Sequence, residues 1–432
     1  MTKRDQVDVV TVVRRRAEHN VSRKDMDPDA LKVLYRLIRN GYTAYLVGGG
    51  VRDLLLGRVP KDFDVATNAR PRQLRKLFRN SFLIGRRFRL VHVKFGGNVI
   101  ETSTFRRGPD ETVEILNENL YRSSDNTFGT PEEDAWRRDF TINALFYDIR
   151  TYAIVDHVGG LVDLANGIVR SIGDPDVRFQ EDPVRMVRAI RFASRLGFKI
   201  ERKTYQAILR QRELVTHVPP PRLLEEMLRL FPFGAGESAF RLLRRTKVLI
   251  ELFPEINDFL DRGGRETRLF WAHVDGLDKH TEKTGDGPYP QLLFAVLMYA
   301  PLLETLRREG IESGSHDPIA RQVLDPISVR FRMPKRIYYG AIQILEGQCR
   351  FEQEGARFSK RRFVTQESFP YMLVLREIHL EATGGNQREL QEWRALYAEH
   401  RGAATVRTSS SRRGRKRRGR RQAPHGKPNG TP

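Results

Sequence analysis

One stretch near the start of the chain, LVGGGVRDLLLGRVPKDFDVATNARP (residues 46–71), restricts the possible folds more than any other part of the sequence. An apolar β-type run leads into three glycines, a short apolar helix follows them, and two aspartates one residue apart come after that helix. Glycines let the backbone approach a ligand closely, and the N–H groups at the start of a helix attract anions. The stretch therefore predicts a mixed α/β domain in which a phosphate-binding loop lies beside a pair of carboxylates.

The two aspartates, Asp62 and Asp64, are predicted to lie in one strand, where residues i and i+2 point to the same face. Their carboxylates would then lie roughly 7 Å apart, with Phe63 and Val65 in the core behind them. Two ionised carboxylates repel each other, and Mg²⁺ relieves that repulsion because it prefers carboxylate and phosphate oxygens as ligands. The pair therefore predicts two Mg²⁺ ions that activate an attacking hydroxyl and stabilise a leaving pyrophosphate. Two further acidic residues are candidates for completing this site, Glu101 and Asp139.

The glycine loop is predicted to hold the triphosphate of a nucleotide. Gly48, Gly49 and Gly50 allow the backbone to come close to it, and Arg52 on the first turn of the following helix adds a phosphate contact. No Lys-Ser or Lys-Thr pair follows the glycines, so the loop is not the P-loop of the NTPases.

Local patterns predict elements around this site. Asp27 as N-cap, Pro28 at the first helical position and Gly41 past the end predict a helix. The turn at residues 96–98 predicts a hairpin between two β-rich runs. Residues 108–135 have no apolar periodicity and are predicted to form a mobile loop.

The composition changes after Pro175, where helical patterns dominate. The chain is therefore predicted to be an α+β protein in which an α/β part precedes helical domains. The predicted segments are a loosely ordered leader (1–26), an α/β head (27–160), a helical neck (161–270), a helical body (271–400) and a disordered basic tail (401–432).

The net charge of +22 points to a polyanionic partner, for which nucleic acid is the best candidate. Eleven lysines and arginines lie between Arg401 and Pro432 without any acidic residue, so the tail carries half of the excess. Arg417 and Arg418 in this tail are predicted to contact RNA. A solubilising surface with a disordered end is the alternative explanation of the charge.

The chain shows no apolar run long enough for a membrane helix and no secretory signal pattern at its start. Its single cysteine, Cys349, excludes an internal disulfide and favours a reducing cytosol. We therefore expect a cytoplasmic protein that has no membrane partner.

Two later motifs fit a nucleotide. In RRDFTINALFYD, Arg138 can bind phosphate, and Asp139 and Asn143 can bind ribose hydroxyls. In EDPVRMVRAIRFASRLGF, Asp182 can accept from an exocyclic amine and Arg185 can donate to ring acceptors, which imitates a Watson–Crick edge. Two more arginines continue the three-residue spacing of that helix and are included in the predicted nucleotide site, Arg188 and Arg191.

These motifs, in this order, resemble the class II nucleotidyltransferases of the polymerase beta superfamily, which include the bacterial poly(A) polymerases and the CCA-adding tRNA nucleotidyltransferases. The resemblance covers about residues 27–230, and the later helices match only in kind. It implies a polymerase-beta-like nucleotidyltransferase head, an active site that includes Asp139, and a protein template in place of a nucleic-acid one.

The stretch IGRRFRLVHVKFG (residues 84–96) is similar to a signature of the bacterial poly(A) polymerases. Arg86, Arg87 and Arg89 are predicted to contact the primer backbone there. Together with the basic tail, which suits generic RNA 3′ ends, it favours a template-independent polymerase that adds AMP from ATP to RNA. A CCA-adding enzyme is the first alternative, and a non-catalytic RNA-binding protein is the second.

Overall fold

The computed structural model describes residues 10–85, 90–107, 128–311, 316–351 and 359–401. These residues form two compact units. The first comprises the chain up to Leu230 together with Ser238–Pro254, and the second comprises Phe231–Glu237 and the chain from Glu255 onward. The division does not follow the predicted head, neck and body, whose boundaries remain predictions.

The first unit is built on a mixed sheet with the strand order β1-β8-β7-β2-β3-β6-β5-β4. Only the β3–β6 pair is parallel within it, and the other neighbours are antiparallel. The strands are β1 (Val12–Arg14), β2 (Ala44–Val47), β3 (Asp64–Thr67), β4 (Ser81–Ile84), β5 (Leu90–Phe95), β6 (Asn98–Thr104), β7 (Leu145–Asp148) and β8 (Ala153–Asp156). The predicted α/β part is confirmed by this sheet.

Helices pack on the sheet and connect its strands. In α1 the Asp27 carboxylate caps the N–H groups of Asp29 and Ala30, as predicted, and four apolar side chains of the helix are buried. The helices of this part are α1 (Pro28–Arg39), α2 (Gly49–Leu55), α3 (Pro71–Leu77), α4 (Pro131–Trp136) and α5 (Gly160–Ala165). Short 3-10 turns cover Arg16–Glu18, Arg23–Asp25 and Thr141–Asn143.

Two predictions about this part are wrong. The segment expected to be a loosely ordered leader supplies the edge strand β1, because Val12–Arg14 pair with β8. Residues 108–127 of the expected loop at 108–135 lie outside the described residues, but its described end forms α4, which begins with a capping box between Thr130 and Glu133. The predicted hairpin between β5 and β6 is confirmed, with Phe95 opposite Asn98.

The first unit continues with helices and a small parallel sheet, β9 (Ile168–Val169) with β10 (Lys199–Ile200). A 3-10 segment covers Arg212–His217. The helices that follow are α6 (Pro175–Glu181), α7 (Val184–Leu196), α8 (Arg202–Gln211), α9 (Pro220–Leu228), α10 (Gly236–Arg245) and α11 (Val248–Leu252). Phe192 and Leu196 of α7 are buried, as its apolar spacing predicts.

The second unit is helical in all of its described regular structure, which confirms the predicted helical remainder. Its helices are α12 (Pro254–Arg262), α13 (Arg265–Thr284), α14 (Pro290–Glu309), α15 (Asp317–Arg330), α16 (Lys335–Phe351), α17 (Lys360–Phe363), α18 (Phe369–Thr383) and a last helix at 387–401. Within the described ranges, none of the helices combines the length and apolar character that a membrane span needs. The predicted disordered tail lies outside the described residues except for Arg401.

Candidate active site

The two aspartates lie at the end of the sheet where β2 stops and β3 starts. Asp64 is the first residue of β3 and pairs with Val47 of β2, whereas Asp62 is exposed and precedes the strand. The prediction that both aspartates lie within the strand is therefore wrong, because pairing with β2 begins only at Asp64. Phe63 is half-buried rather than part of the core, while Val65 is fully buried as expected.

Glu101 reaches the same level of the sheet from the neighbouring strand β6. Val65 pairs with Thr102, so Asp64 and Glu101 occupy adjacent positions one residue earlier. A Glu101 carboxylate oxygen lies 3.5 Å from Nε2 of His92 on β5. The structure thus brings the candidate third carboxylate next to Asp64.

The carboxylates of Asp62, Asp64 and Glu101 repel one another at this end of the sheet. Burial first, and then the charges of Glu101 and Asp62, raise the pKa of Asp64 to about 6 against the opposing charge of Arg138. A divalent cation would relieve this repulsion, so the donor set fits Mg²⁺. Among the described residues no three histidine, cysteine, aspartate or glutamate side chains are arranged to hold a metal ion alone. Substrate phosphate oxygens would therefore complete the ligand set.

Gly48 makes the closest approach in the glycine loop. Its backbone has φ 74° and ψ −139°, a conformation that L side chains rarely adopt. A Cβ atom there would lie 3.1 Å from Nη1 of Arg138 and 3.8 Å from Oδ2 of Asp64. Gly50 is buried, and a Cβ there would lie 3.2 Å from the carbonyl oxygen of Asp62. A side chain at position 48 or 50 would therefore crowd the neighbouring Arg138 or the backbone of Asp62, so the loop needs glycine at both positions.

Arg52 lies below this loop. Its side chain is buried, with Nε and Nη2 donating to Asp53 at 2.8 and 2.7 Å and Nη1 donating to Asn143 at 2.5 Å. A Cβ atom at Gly49 would lie 3.5 Å from its Nη2. Arg195 completes the cluster by donating to the other oxygen of Asp53 at 2.9 Å. This supporting position differs from the direct phosphate contact that the sequence predicts.

Arg138 borders the cavity from the segment after α4. Its Nε and Nη2 donate to Oδ2 of Asp134 at 3.2 and 2.9 Å, and its Nη1 donates to the carbonyl oxygen of Asn143. The guanidinium also lies 5.3 Å from the ring centre of Phe146. These contacts fix a positive charge beside Gly48 and Asp64, where a triphosphate would need it.

Asp139 is held by a network of charged and polar groups. Arg188 of α7 donates to its Oδ2 at 2.8 and 2.5 Å, and its Oδ1 accepts from the N–H of Phe140 and the amide of Asn143. Burial acts to raise the pKa of Asp139, but Arg188 and these hydrogen bonds outweigh it and lower the pKa to about 2. Asp139 is therefore ionised throughout the physiological range.

Arg188 and Arg191 share one carboxylate of α9. Glu226 lies 3.3 Å from Nη1 of Arg188 and 3.2 Å from Nε of Arg191. Burial lowers the pKa of Arg191 to about 10, even though Glu226 opposes the decrease. Arg191 thus packs α7 against α9, which differs from its predicted place in the nucleotide site.

The predicted base-reading pair is held by neighbouring side chains. Arg222 of α9 donates to both oxygens of Asp182, at 2.9 and 2.7 Å. Nη1 of Arg185 donates to Glu181 and to the carbonyl oxygen of Arg178, each at 3.0 Å. Both side chains are therefore in fixed orientations, half-buried at the edge of the cavity.

One cavity of about 450 Å³ connects most of these groups. Glu101 and Arg191 do not line it, while the other predicted catalytic and nucleotide-binding residues do. The predicted residues along its wall are Gly49, Gly50, Arg52, Asp62, Asp64, Arg138, Asp139, Asn143, Asp182, Arg185 and Arg188. The predicted RNA-contacting arginines, Arg86, Arg87, Arg89, Arg417 and Arg418, lie outside the described residues.

Sequence reasoning missed several side chains of this wall. Lys61 and Asp53 are part of the quoted glycine–aspartate stretch, so that motif itself was a signal for them. Arg222 lies 40 residues beyond Asp182 and follows no motif, so no pattern in the sequence could have paired them. Arg195 continues the spacing of basic residues on α7 by one more turn.

Comparison with known proteins gives two family matches. The family described as the poly A polymerase head domain matches residues 44–170. The family described as a probable RNA and SrmB-binding site of polymerase A matches residues 197–260. Together they cover the glycine loop, the aspartates, Arg138 and Arg222.

The sequence similarity to the poly(A) polymerases extends over more of the chain than the predicted residues 27–230. The poly(A) polymerase I of Salmonella typhi is 42% identical over 400 residues, which cover 90% of this chain and 85% of that protein. A CCA-adding enzyme of Bacillus pumilus is 40% identical over 224 residues, which cover 52% of this chain and 54% of that protein. The crystal structure of the Bacillus stearothermophilus CCA-adding enzyme in complex with CTP covers 87% of this chain and 83% of its own, with a TM-score of 0.65 and 27% identity.

Proposed function

The chain belongs to the family of the bacterial poly(A) polymerases, and on that premise we propose that it is a template-independent polymerase that transfers AMP from ATP to the 3′-hydroxyl of RNA and releases pyrophosphate. The observation that carries this proposal is the single cavity that joins an aspartate pair, a fixed arginine and a base-reading pair. The similarity to CCA-adding enzymes supports the fold and the chemistry, but the sequence match with the Bacillus pumilus enzyme covers about half of the chain.

Asp62 and Asp64 are the proposed metal ligands. Two Mg²⁺ ions held there would lower the pKa of the primer hydroxyl and neutralise the departing pyrophosphate. Burial first, and then the charges of Glu101 and Asp62, raise the pKa of Asp64 to about 6, and such ions would compensate those charges. Glu101 and Asp139 act electrostatically from either side, and Asp139 is held ionised by Arg188.

The remaining residues bind and orient ATP. Arg138 binds the triphosphate, and the conformation of Gly48 lets the backbone approach it. Gly49 and Gly50 continue that loop, and the buried Arg52 side chain packs beneath it against Asp53 and Asn143. The Asn143 amide and Asp139 meet the ribose hydroxyls, which favours ribonucleotides over deoxyribonucleotides.

Adenine is recognised at the edge of α7. Asp182 accepts from the exocyclic amine and Arg185 donates to a ring nitrogen, in the manner of a Watson–Crick edge. Because Arg222 donates to both oxygens of Asp182, one carboxylate lone pair must remain available beside Arg222 for the base. Arg222 thereby fixes the orientation in which the carboxylate meets the amine.

The partners proposed are RNA 3′ ends in the cytoplasm. The sequence-independent part of RNA binding comes from lysines and arginines, which include Arg86, Arg87, Arg89, Arg417 and Arg418. Deleting residues 402–432 is expected to weaken primer affinity and flatten its salt dependence with little change in turnover. An unchanged salt slope would contradict a role for the tail in binding.

Nucleotide addition to two substrates tests the proposal. A generic oligoribonucleotide and a tRNA without its CCA end would be offered ATP, CTP or both with Mg²⁺, and the products resolved on a sequencing gel. Long ladders on the generic RNA with ATP alone are expected. Three added residues on tRNA only, requiring both nucleotides, would instead establish CCA addition.

Paired variants test the assigned residues. Asp62→Ala with Asp64→Ala is expected to abolish AMP incorporation while RNA binding is kept, because the metal ligands are lost. Asp258→Ala with Asp261→Ala removes two exposed carboxylates of α12 and serves as the matched control. Labelled AMP incorporated by the first variant at the rate of the control would refute the assignment.

A further inference from the structure

A second groove on the first unit is lined by cations and aromatic rings. It lies between α1, the end of α3 and the tip of the β5–β6 hairpin, and its volume is about 670 Å³. The six side chains that determine its chemistry are Lys32, Tyr35, Arg36, Arg39, Phe78 and Phe95. None of them lines the catalytic cavity.

The cations follow one face of α1. Lys32, Arg36 and Arg39 are spaced by four and three residues, which aligns them along the helix. All three are exposed, and no acidic residue lines the groove. Within the described part of the chain Arg36 and Arg39 form no ion pair, whereas Lys32 lies 2.8 Å from Asp29. The groove therefore carries a net positive charge that the protein leaves largely uncompensated.

The rings hold these cations in place. Nζ of Lys32 lies 5.6 Å from the ring centre of Phe95, and the guanidinium of Arg36 lies 5.3 Å from that of Phe78. Phe78 is buried, while Tyr35 and Phe95 are half-buried and reach the surface of the groove. A row of cations beside accessible rings is the combination that binds the phosphates and bases of single-stranded nucleic acid.

One end of the groove, at the start of α1, lies at the same end of the sheet as the catalytic carboxylates. Arg36 and Arg39 lie further along α1, toward the start of β2. The amide of Asn98, at the hairpin tip, donates to Asp27 and Asp29 at the start of α1. Glu101 lies three residues further along β6, about 10 Å away at the rise of a strand. Asn98, Ile100 and Thr102 share one face of β6 and Glu101 lies on the other, so the hairpin contact with α1 and the Glu101 carboxylate are on opposite faces of the sheet.

We propose that this groove binds the RNA strand upstream of the 3′ end that occupies the catalytic cavity; the assignment of that 3′ end rests on the proposed function. The strand passes around the β5–β6 hairpin, its phosphates meet Arg36 and Arg39, and its bases meet Tyr35 and Phe95. Short primers end before they reach the groove, so only longer RNA gains affinity from it. The cations together with the accessible rings favour RNA over an acidic protein segment, because RNA supplies both phosphates for the cations and bases for the rings of Tyr35 and Phe95.

Arg36→Gln with Arg39→Gln in the full chain tests the proposal. Arg15→Gln with Arg16→Gln is the matched control, because it removes two exposed positive charges next to β1, at the opposite edge of the same sheet. Fluorescence anisotropy would give the affinity for oligo(A) of six and of twenty nucleotides across a salt series. Thermal melting of each variant would check that it folds.

We expect the groove variant to bind the twenty-mer about tenfold more weakly and to reduce the salt slope by about 1.4, or 0.7 for each lost phosphate contact. Its affinity for the six-mer and its AMP incorporation into the six-mer should equal those of the wild type. A second variant, Arg36→Glu with Arg39→Glu, should weaken the twenty-mer further.

Three results would overturn the proposal. If the groove variant binds the twenty-mer as tightly as the wild type does, the groove does not bind RNA. An equal loss in the control would show that only total charge matters, and an equal loss for both RNA lengths would place the effect in the catalytic cavity. If the wild type adds no AMP, the proposed function fails, yet the binding measurements still decide on the groove.

Discussion

Replacing Gly48 by alanine perturbs the site through one methyl group. The backbone at Gly48 has φ 74° and ψ −139°, which costs an L residue about 1–3 kcal/mol. The new Cβ would also lie 3.1 Å from Nη1 of Arg138, so the guanidinium must shift by a few tenths of an ångström. The variant therefore either keeps a strained backbone at residue 48, or relieves the strain by moving the Arg138 guanidinium away from Asp64.

The expected size of the effect follows from that strain. If displacing Arg138 relieves this cost in the ground state and it returns in the transition state, a cost of about 1–3 kcal/mol corresponds to roughly a fivefold to 150-fold loss in kcat/KM for ATP. The loss should fall on kcat as well as on KM, because phosphate positioning matters most when pyrophosphate leaves. Steady-state AMP incorporation over a range of ATP concentrations measures both constants.

Gly41→Ala is the matched control for Gly48→Ala. Gly41 also has a positive φ of 81°, but nothing lies within 4 Å of a Cβ built there. It should lower the free energy of unfolding by about 1 kcal/mol and leave turnover unchanged. If both variants lose similar stability and Gly48→Ala keeps the turnover of Gly41→Ala, then close approach at Gly48 is not needed and the reasoning is refuted.

Three further predictions concern the surroundings of the site and the second unit. Arg222→Gln should reduce the preference for ATP over CTP, measured as the ratio of kcat/KM values, because Asp182 loses its fixed orientation; an unchanged ratio would contradict this. Burial raises the pKa of Asp278 to about 6, above the ordinary 3.8, so the folded state binds more protons and the free energy of unfolding falls as pH rises from about 4 to 6. Urea unfolding should therefore show that the free energy of unfolding of Asp278→Asn rises by about 2–3 kcal/mol relative to that of the wild type between about pH 4 and pH 6. A difference between the two proteins that does not change with pH would contradict this prediction. Gly160→Ala places a Cβ 2.2 Å from the carbonyl oxygen of Thr141, so its melting temperature should drop by several degrees, and an unchanged melting temperature would mean that the backbone relaxes freely.

Features that depend on neighbours in the sequence were predictable. The cap of α1 by Asp27 and the β5–β6 hairpin both follow from local turn and cap chemistry. The grouping of Asp64, Arg138 and Asp182 in one cavity was also expected, because each belongs to a motif with its own chemistry.

Features that depend on distant partners were not. The strand β1 exists because Val12–Arg14 pair with β8, more than a hundred residues away. Its two valines suit a strand, but three residues followed by further arginines are too short a run to predict one. The long helix α13 buries one face at helical spacing, but half of that face is polar (His273, Asp278 and Thr281), which weakens its apolar pattern in the sequence. The side chain of Arg52 is held by Asn143 and that of Arg191 by Glu226, both far away in the sequence, and spacing alone predicts such arginines to be ligand contacts.

The network around Arg188 has a consequence for accuracy. Arg188 joins Asp139, at the sugar end of the proposed nucleotide site, to Glu226 of α9, the helix that also carries Arg222. A polymerase without a template has no second strand against which a wrong nucleotide could be compared. Its selectivity for ATP then depends on how rigidly Arg188 and Glu226 hold the nucleotide-binding side chains. A substitution of Glu226 that weakens its ion pair with Arg188 would therefore raise the rate of misincorporation while synthesis continues. In such an enzyme the packing of α7 against α9 determines which nucleotide is added to the RNA.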